Sequence, residues 1–193
     1  YWDLWLDVAH GGDTVHLTHK PGEEDRLFDQ SEAETIIAAV RNWSGPVSVL
    51  REEKRQAPPK LNDLPTLQIR ASRWGWTAKK TLDVAQALYE THKITTYPRA
   101  ENRYLPEVEI ANAPAMLAGL SGLGKLGVSY QTPVIREGKA GHFSDKALEG
   151  SSHHAIVPNI KTVNDWEAIY DRLSTDEGRL FDYIARTYLA AVG

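Results

Sequence analysis

The stretch ITTYPRAENRYLP, Ile94 to Pro106, sets Tyr97 against a proline and close to two arginines, Arg99 and Arg103. It follows the amphipathic run TAKKTLDVAQALYE, in which Leu82, Ala85, Leu88 and Tyr89 recur at helical spacing behind Thr77, a good capping residue. Upstream of that, DLPTLQIRASRW reads as a short helix with Pro65 tolerated in its first turn. Downstream, Pro106 and Glu107 open a further helical pattern, EVEIANAPAMLAGL, which Pro114 should kink or break. The glycines from Gly119 to Gly127 read as a loop. Two helices are expected at the end, NDWEAIYDRL and TDEGRLFDYIARTYLAAV. The second has an S-x-x-E capping box, Ser174 to Glu177, and carries Leu180, Ile184 and Tyr188 on one face.

The proline pair Pro58-Pro59 divides this helical region from a different pattern. WDLWLDVA and DTVHLTHK alternate apolar and polar residues around the turn-forming HGGD, the signature of a hairpin. Ser31 to Glu34 reads as a capping box opening a helix, EAETIIAAVRNW, ended by Gly45-Pro46, and PVSVLREEKRQ reads as another strand. The expected fold class is α+β and mainly helical: a small β-rich segment over 1–58, then a helical domain over 59–193. So few strands seldom make an independently stable sheet, which points to partners elsewhere in a longer protein. The chain also opens at Tyr1 and has one methionine, Met116, as expected of a piece of a larger polypeptide.

Composition limits the classes of function. A chain of 193 residues, 41% hydrophobic and 25% charged, suits a soluble globular protein. No apolar run approaches the roughly 20 residues needed to span a bilayer, and the N-terminus lacks a signal-peptide pattern. Cysteine is absent, which excludes disulfides and thiolate metal sites. These features together read as an intracellular protein. The net charge of −4 argues against a uniformly basic coat, but charge is uneven. Between Arg70 and Tyr104 seven cations face three anions, a local +4 that leaves −8 on all other residues. Such a stretch suits either a phosphate-bearing ligand or an ordinary solvated helix face.

Three places invite a chemical reading. GLSGLGKL, Gly119 to Leu126, imitates a phosphate-binding G-x-x-x-x-G-K loop, but Leu126 stands where a hydroxyl should meet magnesium, and a helical pattern precedes it. It is read as a plain loop. SSHHAIVP, Ser151 to Pro158, holds His153 and His154, which face opposite ways on an extended chain and so do not form a shared metal grip. Either serves as a structural histidine or as a donor to a phosphate oxygen. Tyr97 is the third. A phenol is a weak nucleophile at neutral pH unless cations favour the phenolate and hold the target phosphate. A guanidinium such as that of Arg99 binds phosphate bidentately and stabilises the extra charge of a pentavalent transition state, while Pro98 restricts the backbone. Tyr-Pro-Arg alone is equally compatible with a packing role.

The longer string TLQIRASRWGWTAKKTLDVAQALYETHKITTYPRAENRYLP resembles the active-site segment of type IA DNA topoisomerases, especially the bacterial topoisomerase III branch and its mobile-element relatives. SSHHAIVP resembles that family's D-H-H-A-I-I-P, and LSTDEGRLFDYIARTYLAAV its following helix, in family order over Asp63 to Val192. The preceding strands resemble its β-rich hinge. The resemblance implies that Tyr97 is the nucleophile, forming a 5′-phosphotyrosine on single-stranded DNA and freeing a 3′-hydroxyl, without ATP. It implies that Arg99 contacts the scissile phosphate and His153 supports phosphate and tyrosine, with His154 beside it. Gln68, Lys79, Lys80 and Arg103 become candidate DNA-backbone contacts, with salt-dependent binding.

Further expectations follow from the family: a bacterial, cytoplasmic, DNA-associated monomer whose helical domain swings open about the hinge. Magnesium is expected in the full-length protein through an acidic Toprim constellation not found among these residues. The chain alone is therefore expected to bind no metal and to leave supercoiled DNA unrelaxed. Ala100, Glu101 and Asn102 depart from the family's Thr-Asp-Ser. The rival reading is a nonenzymatic single-stranded-DNA-binding module with Tyr97 packing or stacking on bases. A rolling-circle relaxase is disfavoured by the missing His-hydrophobic-His motif.

Overall fold

The computed structural model describes residues 1–20, 26–46, 50, 52–54 and 56–193. It divides into two compact units, Tyr1–Lys54 and Arg55–Gly193. In the first unit, strands β1 (Trp5–His10) and β2 (Asp13–Thr18) form an antiparallel hairpin with Trp5 opposite Thr18 and His10 opposite Asp13. That register leaves Gly11 and Gly12 as a two-residue turn with φ of +59° and +94°. Positive φ at both positions suits the right-handed twist of the strands and is open to glycine without steric cost.

Helix α1 spans Gln30–Val40, and its start differs from expectation. Asp29, not Ser31, is the cap: its Oδ1 accepts from the Ser31 backbone N–H at 2.7 Å and from that of Glu32 at 3.4 Å. The Ser31 hydroxyl donates to the same carboxylate at 2.7 Å, so it is committed to Asp29 and closes no box with Glu34. A carboxylate at this end also meets the positive pole of the helix. The helix stops at Val40, short of Trp43 and Gly45-Pro46. Of the strand expected over PVSVLREEKRQ, Val47 to Val49, Arg51 and Arg55 lie outside the described residues, and the described remainder is not in a strand.

The second unit is helical. It contains α2 (Leu64–Ser72), α3 (Ala78–Glu90), α4 (Ala113–Gly122), the short α5 (Asp145–Leu148), α6 (Trp166–Tyr170) and α7 (Thr175–Val192). Asp63 caps α2 and Thr77 caps α3 through side-chain bonds to the third residue on. Pro114 divides the expected single helix into a 3₁₀ turn, Glu107–Asn112, and α4, where the proline occupies the first turn. The expected loop from Gly119 is corrected: α4 continues to Gly122. Leu117 and Leu120 are buried, and a Cβ on Gly119 would stand 2.4 Å from a Val163 methyl, so glycine here lets α4 meet the 160–166 segment closely. Leu126 is buried too, and Lys125 pairs with Asp171, which uses this lysine in an ion pair.

Helix α7 carries the full capping box, with Ser174 and Glu177 bonding reciprocally. Its Leu180, Ile184 and Tyr188 are buried in a continuous core with Leu67 and Ala71 of α2, Ala85 and Leu88 of α3, and Met116 and Leu117 of α4. On α3 the fully buried face is Thr81, Ala85 and Leu88, leaving Leu82 and Tyr89 half-buried. No helix among the described residues is long and apolar enough to cross a membrane.

Candidate active site

Tyr97 lies just beyond α3, on an extended segment that the chain enters through Lys93 at φ +58°. This is the left-handed region, uncommon for a lysine. The turn is held from outside, because the Asn159 amide and the Thr162 hydroxyl both donate to the Lys93 carbonyl, at 2.8 and 3.2 Å. From there residues 94–96 run beside residues 155–159. Thr96 N–H donates to Val157 O at 2.9 Å, Asn159 N–H to Ile94 O at 2.8 Å, and Thr95 bridges Pro158. The Thr96 hydroxyl adds two bonds, donating to Ala155 O and accepting from Val157 N–H, each at 3.0 Å.

The other side of AIVP is tied as well. Ala155 N–H donates to Tyr104 O at 2.9 Å and Ile156 N–H to Asn62 O at 2.7 Å. The apolar residues Ala155 to Val157 are buried and anchor the segment, so the preceding histidines are delivered to a fixed place. His153 stacks on Tyr97, with ring centroids 4.0 Å apart and planes tilted 31°. Tyr89 from α3 meets the Tyr97 ring edge-on at 5.6 Å. Offset and edge-on contacts of this kind restrain a ring without a hydrogen bond. Among the described residues none hydrogen-bonds the Tyr97 hydroxyl.

Tyr97, Arg99 and His153 line one open cleft of about 350 Å³ with Glu101, Gly150, Ser151 and Ser152. Its lining is polar, and Arg99 and His153 are exposed to it. The three residues singled out from sequence as catalytic are thus brought together. The remaining candidates do not line it. Gln68 donates to Ala78 O at 3.3 Å, Lys79 pairs with Asp83 at 2.6 Å and Lys80 with Asp176 at 2.7 Å. Arg103 donates through Nε to Leu61 O at 2.8 Å, and His154 Nδ1 lies 2.9 Å from Ala155 O.

Sequence reasoning missed two supports of this cleft. Thr96 is one. The other is Asn102, whose amide donates to Ala147 O at 2.8 Å and Ser151 Oγ at 3.0 Å while its oxygen accepts from Tyr104 N–H at 3.0 Å. Asn102 thereby fastens the tyrosine strand to the cleft's far wall. The only signal was the departure from Thr-Asp-Ser, which marked the place and not the partner. Ala100 is buried, and its carbonyl accepts from Leu64 N–H at 3.0 Å. Among the described residues, no three His, Asp or Glu side chains come together as a cation site.

The DNA topoisomerase family model matches residues 1–193. The chain belongs to that family. Similar curated proteins are each named DNA topoisomerase 3: one from Vibrio cholerae, 31% identical over 86% of the chain, one from Bacillus subtilis, 32% identical over 97%, and one from Salmonella typhimurium, 32% identical over 86%. They place this topoisomerase chain in the type IA, topoisomerase III-like branch. The match spans 25% of each relative's length. Full-length topoisomerase I from Thermotoga maritima shares the fold, with a TM-score of 0.55 at 21% identity, over 100% of this chain and 30% of that one.

Proposed function

We propose that this chain supplies the tyrosine half of a type IA topoisomerase active site and that Tyr97 cleaves and rejoins single-stranded DNA. The observation that carries the reading is the convergence of Tyr97, Arg99 and His153 on one polar cleft from segments more than fifty residues apart. The Tyr97 oxygen attacks a backbone phosphorus, a phenol O–P bond forms, and the P–O3′ bond breaks. The phenolic proton is given up and the departing 3′-oxygen takes one, leaving a 3′-hydroxyl and a 5′-phosphotyrosine. One phosphate ester replaces another, so rejoining needs no external energy source.

Arg99 is placed to hold the phosphate's non-bridging oxygens in a bidentate grip and to offset the charge of the pentavalent transition state. His153 positions the phenol by stacking and presents a ring nitrogen to the same phosphate. Strand passage, the DNA partner and magnesium are proposed for the longer protein. The described residues do not make a magnesium site, and binding of the ion is assigned to a Toprim domain of the longer protein.

The test is trapping. The longer protein is incubated with 5′- and 3′-end-labelled single-stranded oligonucleotides and magnesium, then quenched with denaturant. The expected result is a covalent adduct on the fragment downstream of the break, absent in Tyr97→Phe. Arg99→Ala should slow adduct formation about 10²- to 10³-fold, the usual effect of losing one transition-state donor. An adduct that persists in Tyr97→Phe overturns the assignment. DNA binding by the wild type without any adduct would favour the nonenzymatic module. The isolated chain should leave supercoiled plasmid unrelaxed, and magnesium-dependent relaxation on agarose gels would refute that.

A further inference from the structure

A second cluster of cations lies away from the cleft, where α2, α3 and α7 meet. Trp74, just past α2, has the Arg179 guanidinium 4.5 Å from its ring centroid and that of Arg70 at 5.7 Å. Arg70 also stands 5.2 Å from the Tyr183 ring. Trp76 and Tyr183 meet Trp74 edge-on, at 5.2 and 6.1 Å, and Lys80 lies 4.8 Å from Trp76. Two features distinguish the arginines from the neighbouring lysines. Lys79, Lys80 and Lys125 each hold a carboxylate, whereas among the described residues neither Arg70 nor Arg179 is paired with one. And Arg70 Nε is buried without a hydrogen-bond partner. The acids of α7 are otherwise engaged, Asp176 by Lys80, Glu177 by His92 and Ser174, and Asp182 by Tyr170.

We infer that this arginine–tryptophan cluster is a second binding site for nucleic-acid phosphates, separate from the Tyr97 cleft. An anion bound at either guanidinium offsets a positive charge that no carboxylate of the described residues neutralises. Stacking leaves the in-plane N–H donors of a guanidinium available for bidentate phosphate contact and restricts its rotamers before binding. The chain's charge supports a nucleic-acid occupant, because Arg70 and Lys80 belong to the local +4 stretch in a chain of net −4.

Helix geometry separates this site from the cleft. Lys80 and Tyr89 are nine residues apart on α3, two and a half turns, so they project from opposite faces. Tyr89 packs on Tyr97, and Lys80 belongs with Trp76. A strand in the cleft therefore leaves the cluster open to a second segment, as an enzyme that moves one strand past another requires. This inference rests on the proposed function for the identity of its ligand.

Binding of the chain to a short fluorescein-labelled oligodeoxythymidylate, followed by anisotropy over a range of salt, tests it. Arg179 is exposed, so Arg179→Ala should fold normally, raise Kd about three- to tenfold and lower the salt slope by about 0.7 for the lost phosphate contact. Arg70→Lys keeps the charge without the planar fork and should also weaken binding. Kd and slope unchanged in both variants, with Arg99→Ala weakened, would overturn the second site. Poly-glutamate binding through Arg179, with no Arg179-dependent oligonucleotide binding, would reassign the surface to an acidic protein and equally overturn it. The two readings fail separately: Arg179-dependent binding without a Tyr97 adduct counts against catalysis alone, and an adduct with Arg179-independent binding counts against this site alone.

Discussion

Thr96 is next to Tyr97 and holds two backbone groups of the histidine segment through one hydroxyl. Thr96→Val keeps the shape and removes both bonds, leaving the buried Val157 N–H without its partner and the Ala155 carbonyl with His154 Nδ1 alone. Unfolding in urea should show a loss of about 1–3 kcal/mol, and adduct formation should slow because the Tyr97–His153 stack is no longer fixed. His142 offers a second test. It is buried, and its Nε2 donates to Pro59 O at 2.8 Å. Burial pushes its imidazole below the ordinary value of 6.5, the Pro59 bond opposes this, and Lys60 and Arg136 add to the lowering. The native state thus takes up a proton on His142 less readily than the unfolded chain, which does so below about 6.5. The stability it contributes is present above that pH and is lost as pH falls through the lower folded value. Thermal unfolding midpoints should decline from pH 7.5 to pH 5, and His142→Gln should flatten that decline; an unchanged slope would exclude His142 as its source.

Among the elements, α7 gives the plainest prediction. Ser174→Ala breaks the reciprocal cap, and the cost should be about 1 kcal/mol by urea denaturation. Gly119→Ala raises helix propensity yet should destabilise, since the new methyl meets Val163 and Trp166 inside contact distance. These two positions also mark what sequence made legible. The Ser174 box was readable because capping is local: the donor and acceptor are three residues apart. Gly119 was misread as loop because its role is a close approach between elements distant in sequence, which periodicity does not encode. Ser31 failed for a local reason, since Asp29 two residues earlier offered a charged acceptor that a serine cannot match. Tyr97, Arg99 and His153 were legible as a set only through family resemblance, for no spacing rule places His153 on Tyr97.

At the scale of the molecule, the continuous core from Leu61 to Val192 lies wholly within the second unit. Residues 56–193 alone should unfold in one cooperative transition, with calorimetric and van't Hoff enthalpies in agreement. A broad, noncooperative melt would refute that independence. The first unit exposes Trp5, Phe28 and Trp43, and α1 buries Ala33 alone, so it should melt earlier and with a smaller heat-capacity change. The pairing of residues 94–96 with 155–159 has a consequence in time. Thr96 and Val157 are 61 residues apart, so a ribosome making roughly 5–20 residues per second finishes the tyrosine segment several seconds before its partner. Through that interval the nascent chain carries its phenol without histidine, without a cleft wall and without a fixed direction. The cleft around Tyr97 is therefore not assembled until most of this domain has been synthesised.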